Sequence, residues 1–196
     1  MAVYSKPMPR LFVIGGPNGA GKTTSAMALM PQLLDCEEYV NADAIAQALS
    51  PFRPESVALQ SGRLMLQRIH QLAAQHADFA FETTLASRSF APLLSVWKAQ
   101  GYTVTLLFLW LRSPDLAVDR VRFRVESGGH PISDDVIIRR YWTGLKNLVW
   151  LYLPLADKWS VHDNSGPRPT LVAGRSESDV VVYDEGVWNQ ILKAGQ

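Results

Sequence analysis

Eight consecutive residues carry the clearest chemistry in the chain: Gly16-Pro17-Asn18-Gly19-Ala20-Gly21-Lys22-Thr23, which fit G-x-x-x-x-G-K-[ST] in full. Glycines here let backbone N–H groups converge on phosphate oxygens with no Cβ in the way. The helix expected to follow adds its unpaired N–H groups and the positive end of its dipole. Lys22 reaches the β- and γ-phosphates as a point charge, and the Thr23 hydroxyl is placed to ligate Mg²⁺. The stretch from Gly16 through Thr24 therefore reads as the cradle of a nucleoside triphosphate, with ATP and Mg²⁺ as the expected cofactors.

A phosphate cradle alone does not separate a kinase from a GTPase, a motor or a transporter ATPase. No NKxD-type guanine reader occurs, and neither of the next two short apolar runs ends in the Asp-Glu pair usual in ABC and AAA ATPases. The short apolar runs end instead in Val40-Asn41-Ala42-Asp43 and Phe81-Glu82-Thr83-Thr84. Both carboxylates are expected just past the C-terminal end of a strand, on the sheet edge where ligands bind in open α/β folds. Asp43 suits the base that takes the proton of an attacking hydroxyl, near Mg²⁺ through a water; the plainer alternative is a helix N-cap. Glu82 is too costly to bury unpaired and would hold acceptor hydroxyls or the metal. Thr84 would share its side if the chain stays extended; ordinary turn capping by Thr83 and Thr84 is the other reading.

Farther along, Arg120, Arg122 and Arg124 place the first and third on one helical face and the second elsewhere. A Gly128-Gly129-His130-Pro131 break reverses the chain, and Arg139 and Arg140 follow. Residues 112–140 carry six arginines against five acids, which fits a solvated helical pair. It also fits a closing lid over about 112–145, whose guanidinium groups neutralise a transferring phosphoryl group and exclude water. Arg120, Arg124 and one of Arg139 or Arg140, with Arg140 preferred, are the candidates; His130 reads as a hinge residue. Asp163-Asn164-Ser165 is expected near the nucleotide base or, equally, as a polar turn.

The elements that must position these groups follow from periodicity and breakers. Strands are expected at 11–15, 38–40, 79–81, 102–111 and 159–162, with a small hairpin at 170–173 and 180–183. Helices are expected at 22–34, 42–49, 54–77, 89–100, 114–126, from Ser133 to about 153, and from about 186. Six tryptophans, at 97, 110, 142, 150, 159 and 188, read as core more readily than as a sugar-stacking site. The 196 residues are 47% hydrophobic and 19% charged with a formal charge of +1, which excludes a disordered chain and gives no case for a nucleic-acid partner. One cysteine, Cys36, allows no internal disulfide. No apolar run approaches membrane-spanning length, and residues 1–10 hold no signal-peptide core. The expectation is one cytoplasmic domain over residues 1–196, with no membrane partner.

Together, residues 16–24 (GPNGAGKTT), 41–46 (NADAIA), 81–85 (FETTL), 120–130 (RVRFRVESGGH), 138–141 (IRRY) and 163–165 (DNS) resemble the zeta-toxin family of P-loop kinases, in its compact stand-alone form. The resemblance implies an α/β three-layer P-loop NTPase with a five-stranded, mostly parallel sheet in the kinase-type order 2-3-1-4-5, a helical arginine lid and a small C-terminal hairpin. It implies transfer of the ATP γ-phosphate to a hydroxyl of UDP-N-acetylglucosamine, an aspartate base at Asp43, and restraint by a small antitoxin. The chain departs from the family pattern after Glu82, where it runs Ala86-Ser87-Arg88, so the resemblance carries the acceptor site no further than Glu82 and Thr84. The residues alone leave open a kinase of another metabolite, antibiotic or nucleoside, and a nucleotide-regulated partner-binding module.

Overall fold

Arg10–Gly15 (β1) is apolar on both faces, the pattern of a strand buried in the middle of a parallel sheet. In the computed structural model it pairs in parallel with β3 (Phe79–Thr83) on one side and β4 (Thr103–Trp110) on the other. Outside these lie β2 (Tyr39–Val40) against β3 and β5 (Lys158–Asp163) against β4, both parallel. The expected order 2-3-1-4-5 is therefore the observed one. The hairpin β6 (Thr170–Arg175) and β7 (Val180–Val182) does not stand apart. It continues the same sheet, antiparallel, past β5.

The structure describes residues 8–33, 35–176 and 179–195, with the side chains of residues 30–33 left out. The helix end expected at residue 34, and residues 1–7 of the stretch read as lacking a signal-peptide core, lie outside the described residues.

Helices α1 (Lys22–Leu33), α2 (Ala42–Leu49) and α3 (Ala58–Ala74) connect the first three strands. The long helix expected from residue 54 begins as a 3-10 turn, Pro54–Val57, before α3. After α4 (Phe90–Ala99) and β4, Ser113 caps α5 (Pro114–Glu126) by accepting from Leu116 N at 3.1 Å, and Pro114 sits at the helix start. A glycine turn leads to α6 (Asp134–Asn147), which runs on through a π-helical turn (Leu148–Tyr152) into α7 (Leu153–Leu155). Helix α8 (Glu185–Ala194) closes the chain, capped by Asp184.

The two faces of the sheet are covered unequally. Leu11, Val13, Phe79, Phe81, Val104, Leu106 and Phe108 belong to one large core with Met65, Ile69 and Leu72 of α3, Leu94 and Trp97 of α4, and Ile137, Tyr141 and Leu145 of α6. Each fully buried Phe or Leu stabilises by about 1.5–3 kcal/mol relative to exposure, so this face dominates the fold. Among the described residues, Phe12, Ile14 and Ala80 on the other face form a small cluster with Ala26 of α1 and Cys36, against which Tyr39 packs. Beside them, Thr105, Leu107, Ser160 and His162 floor a cavity of about 820 Å³ walled by α1. Trp97, Trp110 and Trp159 are core, and Trp188 stacks on Trp159; Trp142 and Trp150 are instead exposed on the helices. No described helix is long and apolar enough to cross a membrane.

Candidate functional site

The loop after β1 is held by its own backbone. Ala20 N donates to Pro17 O at 3.2 Å and Ser25 N to Gly21 O at 2.9 Å. At two positions only glycine fits. Gly19 has φ +76°, and a Cβ there would stand 2.9 Å from the carbonyl oxygen of Ala117 in α5; a Cβ on Gly16 would stand 2.5 Å from Leu109 O. The loop is thus wedged between the end of β4 and the lid helix. Lys22, buried at the base of the loop, donates from Nζ to Pro17 O at 3.0 Å. Burial pushes its ammonium pKa below the ordinary lysine value; Glu82 and Asp43 oppose that shift, and Arg124 and Arg140 add to it. Oδ1 of the buried Asn18 has no hydrogen-bond partner among the described residues. A pocket that gathers Lys22, Arg120 and Arg124 around the backbone of the glycine loop suits a polyanion.

Asn41 sets the position of the first carboxylate. Its side-chain oxygen accepts from Asp43 N at 2.7 Å and Ala44 N at 3.2 Å, making it the N-cap of α2. The N-cap alternative for Asp43 is thereby removed: that carboxylate sits in the first turn of α2, exposed into the cleft. Three cavities meet at Asp43. One of about 240 Å³ surrounds the loop and is lined by Lys22, Thr23, Glu82, Arg120 and Arg124. A second, of about 520 Å³, opens toward Phe52, Glu55 and the lid tip at Gly129-His130. The third, of about 620 Å³, runs between α3 and residues 83–89 and includes Glu82, Arg63 and Arg140.

Glu82 lies inside β3 rather than past it, paired with Ile14 as Thr83 is with Gly15. Its Oε2 accepts from the Thr23 hydroxyl at 2.9 Å and from the Tyr39 hydroxyl. The Asn41 amide donates to Thr23 Oγ1 at 3.4 Å and to Tyr39 Oη at 3.3 Å. Burial and the neighbouring carboxylate push the Tyr39 phenol well above its ordinary pKa. Thr23 and Glu82 are hard oxygen donors side by side. No group of three or more His, Cys, Asp or Glu that could hold a metal occurs among the described residues. That donor set fits Mg²⁺, which is held by one or two protein oxygens together with substrate phosphates rather than by a protein cage. Thr84 lines the third cavity, but Leu85 turns the chain at φ +57°. The hydroxyls of Thr83 and Thr84 accept from Leu85 N and Ala86 N at 3.1 and 3.4 Å, so both also cap this turn.

The lid residues separate as their spacing predicts. Arg120 Nη2 donates to Ser165 O at 3.1 Å, and Arg124 Nη2 to His130 O at 3.3 Å. Arg122 points outward and pairs with Asp134 of α6 at 2.6 Å, an exposed contact that clips the two lid helices and contributes about 1 kcal/mol at most. Arg140 lines the third cavity, whereas Arg139 is exposed and lines none of the three. His130 forms part of the turn that clasps Arg124. Asn164 donates to Ala20 O at 2.8 Å, and Asp163 accepts from Ser165 N at 2.8 Å, so the loop after β5 ties the phosphate loop to the lid. Asn164 also lines the 820 Å³ cavity with Thr24 and Arg120.

Several contributors went unnoticed in the sequence. Asn41 carried a readable signal, being a strong N-cap type before an amphipathic helix. Tyr39 and Arg63 carried none, since their neighbours at the site are distant in sequence. Asn147 donates to Leu85 O at 2.8 Å and Tyr152 to Ser87 O at 2.5 Å, and together they pin the loop that walls the third cavity.

An uncharacterized protein of Haemophilus influenzae is 29% identical over 126 residues, covering 64% of this chain and 88% of that protein. Among solved structures, the AvrRxo1-ORF1:AvrRxo1-ORF2 complex with sulphate ions matches with a TM-score of 0.80 at 17% identity, over 96% of this chain and 65% of the other. The same complex with ATP matches at 0.78, also over 65% of that chain. A structure of the PezAT toxin-antitoxin system of Streptococcus pneumoniae matches at 0.65 and 16% identity, over 99% of this chain and 87% of that one. At these identities the likeness is one of fold, and the chain spans about 65% of the AvrRxo1 chains it matches. A single carboxylate, Glu82, stands one residue before the end of the strand beside β1, where AAA proteins usually show an Asp-Glu pair. The family match holds without that pair. The AAA domain family (AAA_33) matches residues 11–139, a span that takes in the phosphate loop, both carboxylates and the lid helices as far as Arg139, and the chain belongs to that family.

Proposed function

We propose that this protein is an Mg²⁺-dependent phosphotransferase that moves the γ-phosphate of ATP to an alcohol. The observation that carries the reading is Asp43 at the junction of the phosphate-loop cavity with two wider clefts. An acceptor lying in one of those clefts presents its hydroxyl to Asp43 on the side facing the γ-phosphorus. Asp43 takes the hydroxyl proton as the acceptor oxygen bonds to phosphorus, the bond to the β,γ-bridging oxygen breaks, and ADP leaves. Lys22 and the amides of residues 16–24 hold the triphosphate. Thr23 would ligate Mg²⁺ and Glu82 its water shell; when bound, the cation neutralises charge on the β- and γ-phosphates. Arg120, Arg124 and Arg140 bear on the transferring group, and closure of α5 and α6 keeps water from competing.

The acceptor we assign is a nucleotide sugar, UDP-N-acetylglucosamine first, bound in the third cavity beside Glu82 and Thr84. The family resemblance supports it, and so does the charge of that cavity. Arg63 and Arg140 line it without an ion pair among the described residues, which suits an acceptor bearing phosphates of its own. The likeness in fold to the AvrRxo1-ORF1:AvrRxo1-ORF2 structures and to one from the PezAT toxin-antitoxin system supports a further expectation, that a small antitoxin restrains the enzyme. Incubation with ATP, Mg²⁺ and UDP-N-acetylglucosamine, read by mass spectrometry, is expected to add one phosphoryl group to the sugar nucleotide. ADP formation with an unmodified sugar nucleotide would remove this acceptor. Phosphorylation of another alcohol in a metabolite panel would then define the true one.

A further inference from the structure

Two hydroxyl groups converge on one oxygen of Glu82. Thr23, at the start of α1, donates to Oε2 at 2.9 Å, and Tyr39, from the two-residue strand β2, donates to the same atom. Asn41 Nδ2 lies 3.4 Å from Thr23 Oγ1 and 3.3 Å from Tyr39 Oη, which closes a ring of four side chains from α1, β2, β3 and the N-cap of α2. Oε1 of Glu82 takes part in no hydrogen bond among the described residues. The body of the Tyr39 ring packs against the small core of Phe12, Ile14 and Cys36, so its hydroxyl is fixed from behind.

We propose that Tyr39 is a positioning residue for the divalent cation: by holding Oε2 of Glu82 it leaves Oε1 for the cation's water shell beside Thr23. The inference rests on the proposed reading that Mg²⁺ and nucleotide bind at this loop. A carboxylate with one tether rotates freely about its terminal torsion, which is broad and nearly two-fold; with two donors on the same oxygen it does not. The arrangement also orients Thr23. Its single proton points to Glu82, so a lone pair is turned outward for the metal. Tyr39 itself touches neither metal nor nucleotide, and acts through Glu82. Outer-shell partners of this kind are worth about 10–100-fold in metal affinity when removed.

The test titrates Mn²⁺ into the ADP-loaded protein and follows free Mn²⁺ by electron paramagnetic resonance. Wild type, Tyr39→Phe, Glu82→Gln and the double variant are compared. Tyr39→Phe is expected to weaken Mn²⁺ binding about 10-fold or more while binding ADP in EDTA as wild type does. In the Glu82→Gln background the same change is expected to add little, because the two residues act as one unit. In turnover the Mg²⁺ requirement rises and kcat recovers at saturating Mg²⁺. Unchanged Mn²⁺ affinity in Tyr39→Phe overturns the inference. So does an equal loss in both backgrounds, or a parallel loss of ADP binding in EDTA, which would mark a structural role. Failure of the wild-type protein to bind Mn²⁺ with ADP would instead strike the underlying cation site.

Discussion

On the phosphate-loop side of the cleft, four polar side chains are already engaged by the protein itself. Lys22 rests on Pro17, Asn164 on Ala20, Arg120 on Ser165 and Arg124 on His130, all through backbone carbonyls. On the acceptor side, Asp43, Arg63 and Arg140 take part in no ion pair among the described residues, and Asp43 and Arg63 are exposed. The wall of that side, residues 83–89, is pinned by Asn147 and Tyr152. The cradle is therefore preorganised, and the acceptor site must be completed by what binds in it. Preorganised groups act on the transition state and the shared phosphate. Groups waiting for a ligand act mainly on acceptor affinity.

The contrast is broken most forcefully at Asp43. Asp43→Asn is expected to lower kcat by about 10²–10⁴-fold with ATP affinity unchanged, measured by steady-state kinetics beside calorimetric titration. Lys22→Met should cost about 10²–10³-fold and, unlike the first, weaken ATP binding as well. Gly19→Ala tests the wedge between cradle and lid. A left-handed backbone and a Cβ 2.9 Å from Ala117 O should destabilise the fold by about 1–3 kcal/mol, read by denaturant unfolding. Across the cleft, Arg63→Gln should raise KM for an anionic acceptor about tenfold, the scale of one charge-assisted hydrogen bond, and leave kcat and KM for ATP alone.

The smallest expected effect lies on the thinly covered sheet face. Burial pushes the His162 imidazole below its ordinary pKa, so the unfolded chain takes up its proton at higher pH than the folded one. Its contribution is full above about pH 6.5 and is lost as pH falls from there toward the folded value. Unfolding at about pH 7.5 and about pH 5.5 should show wild type losing stability on acidification more steeply than His162→Asn; equal slopes would contradict it.

What could be read from the chain alone divides along the same line. Gly16 to Thr24 is legible because a loop that cradles phosphate is specified by residues adjacent in sequence, and the strand and helix flanking it are equally local. The lid spacing is legible for the same reason: Arg120 and Arg124 share a helical face, and Arg122 does not. Glu82 was expected past its strand because the end of β3 is set by pairing with Ile14 and Gly15, almost seventy residues earlier in the chain. The choice between Arg139 and Arg140 depends on which face of α6 meets the core, and that is fixed by Ile137, Tyr141 and Leu145. Trp142 and Trp150 are exposed for a related reason, since periodicity shows that a helix is two-sided without showing how far the buried side extends. The link from Tyr39 to Glu82 spans 43 positions and two strands, beyond any local pattern.

The central claim is that the two halves of the cleft work on one phosphoryl group, with Asp43 between them. Its most direct test supplies ATP labelled in the γ-phosphate, together with a cell metabolite extract, to the wild-type protein and to Asp43→Asn, and follows the label by mass. The account predicts that wild type places the label on an alcohol as a phosphate ester, and that Asp43→Asn binds ATP but leaves the label there. Label found only in inorganic phosphate, or ester formed as readily by Asp43→Asn, would contradict it.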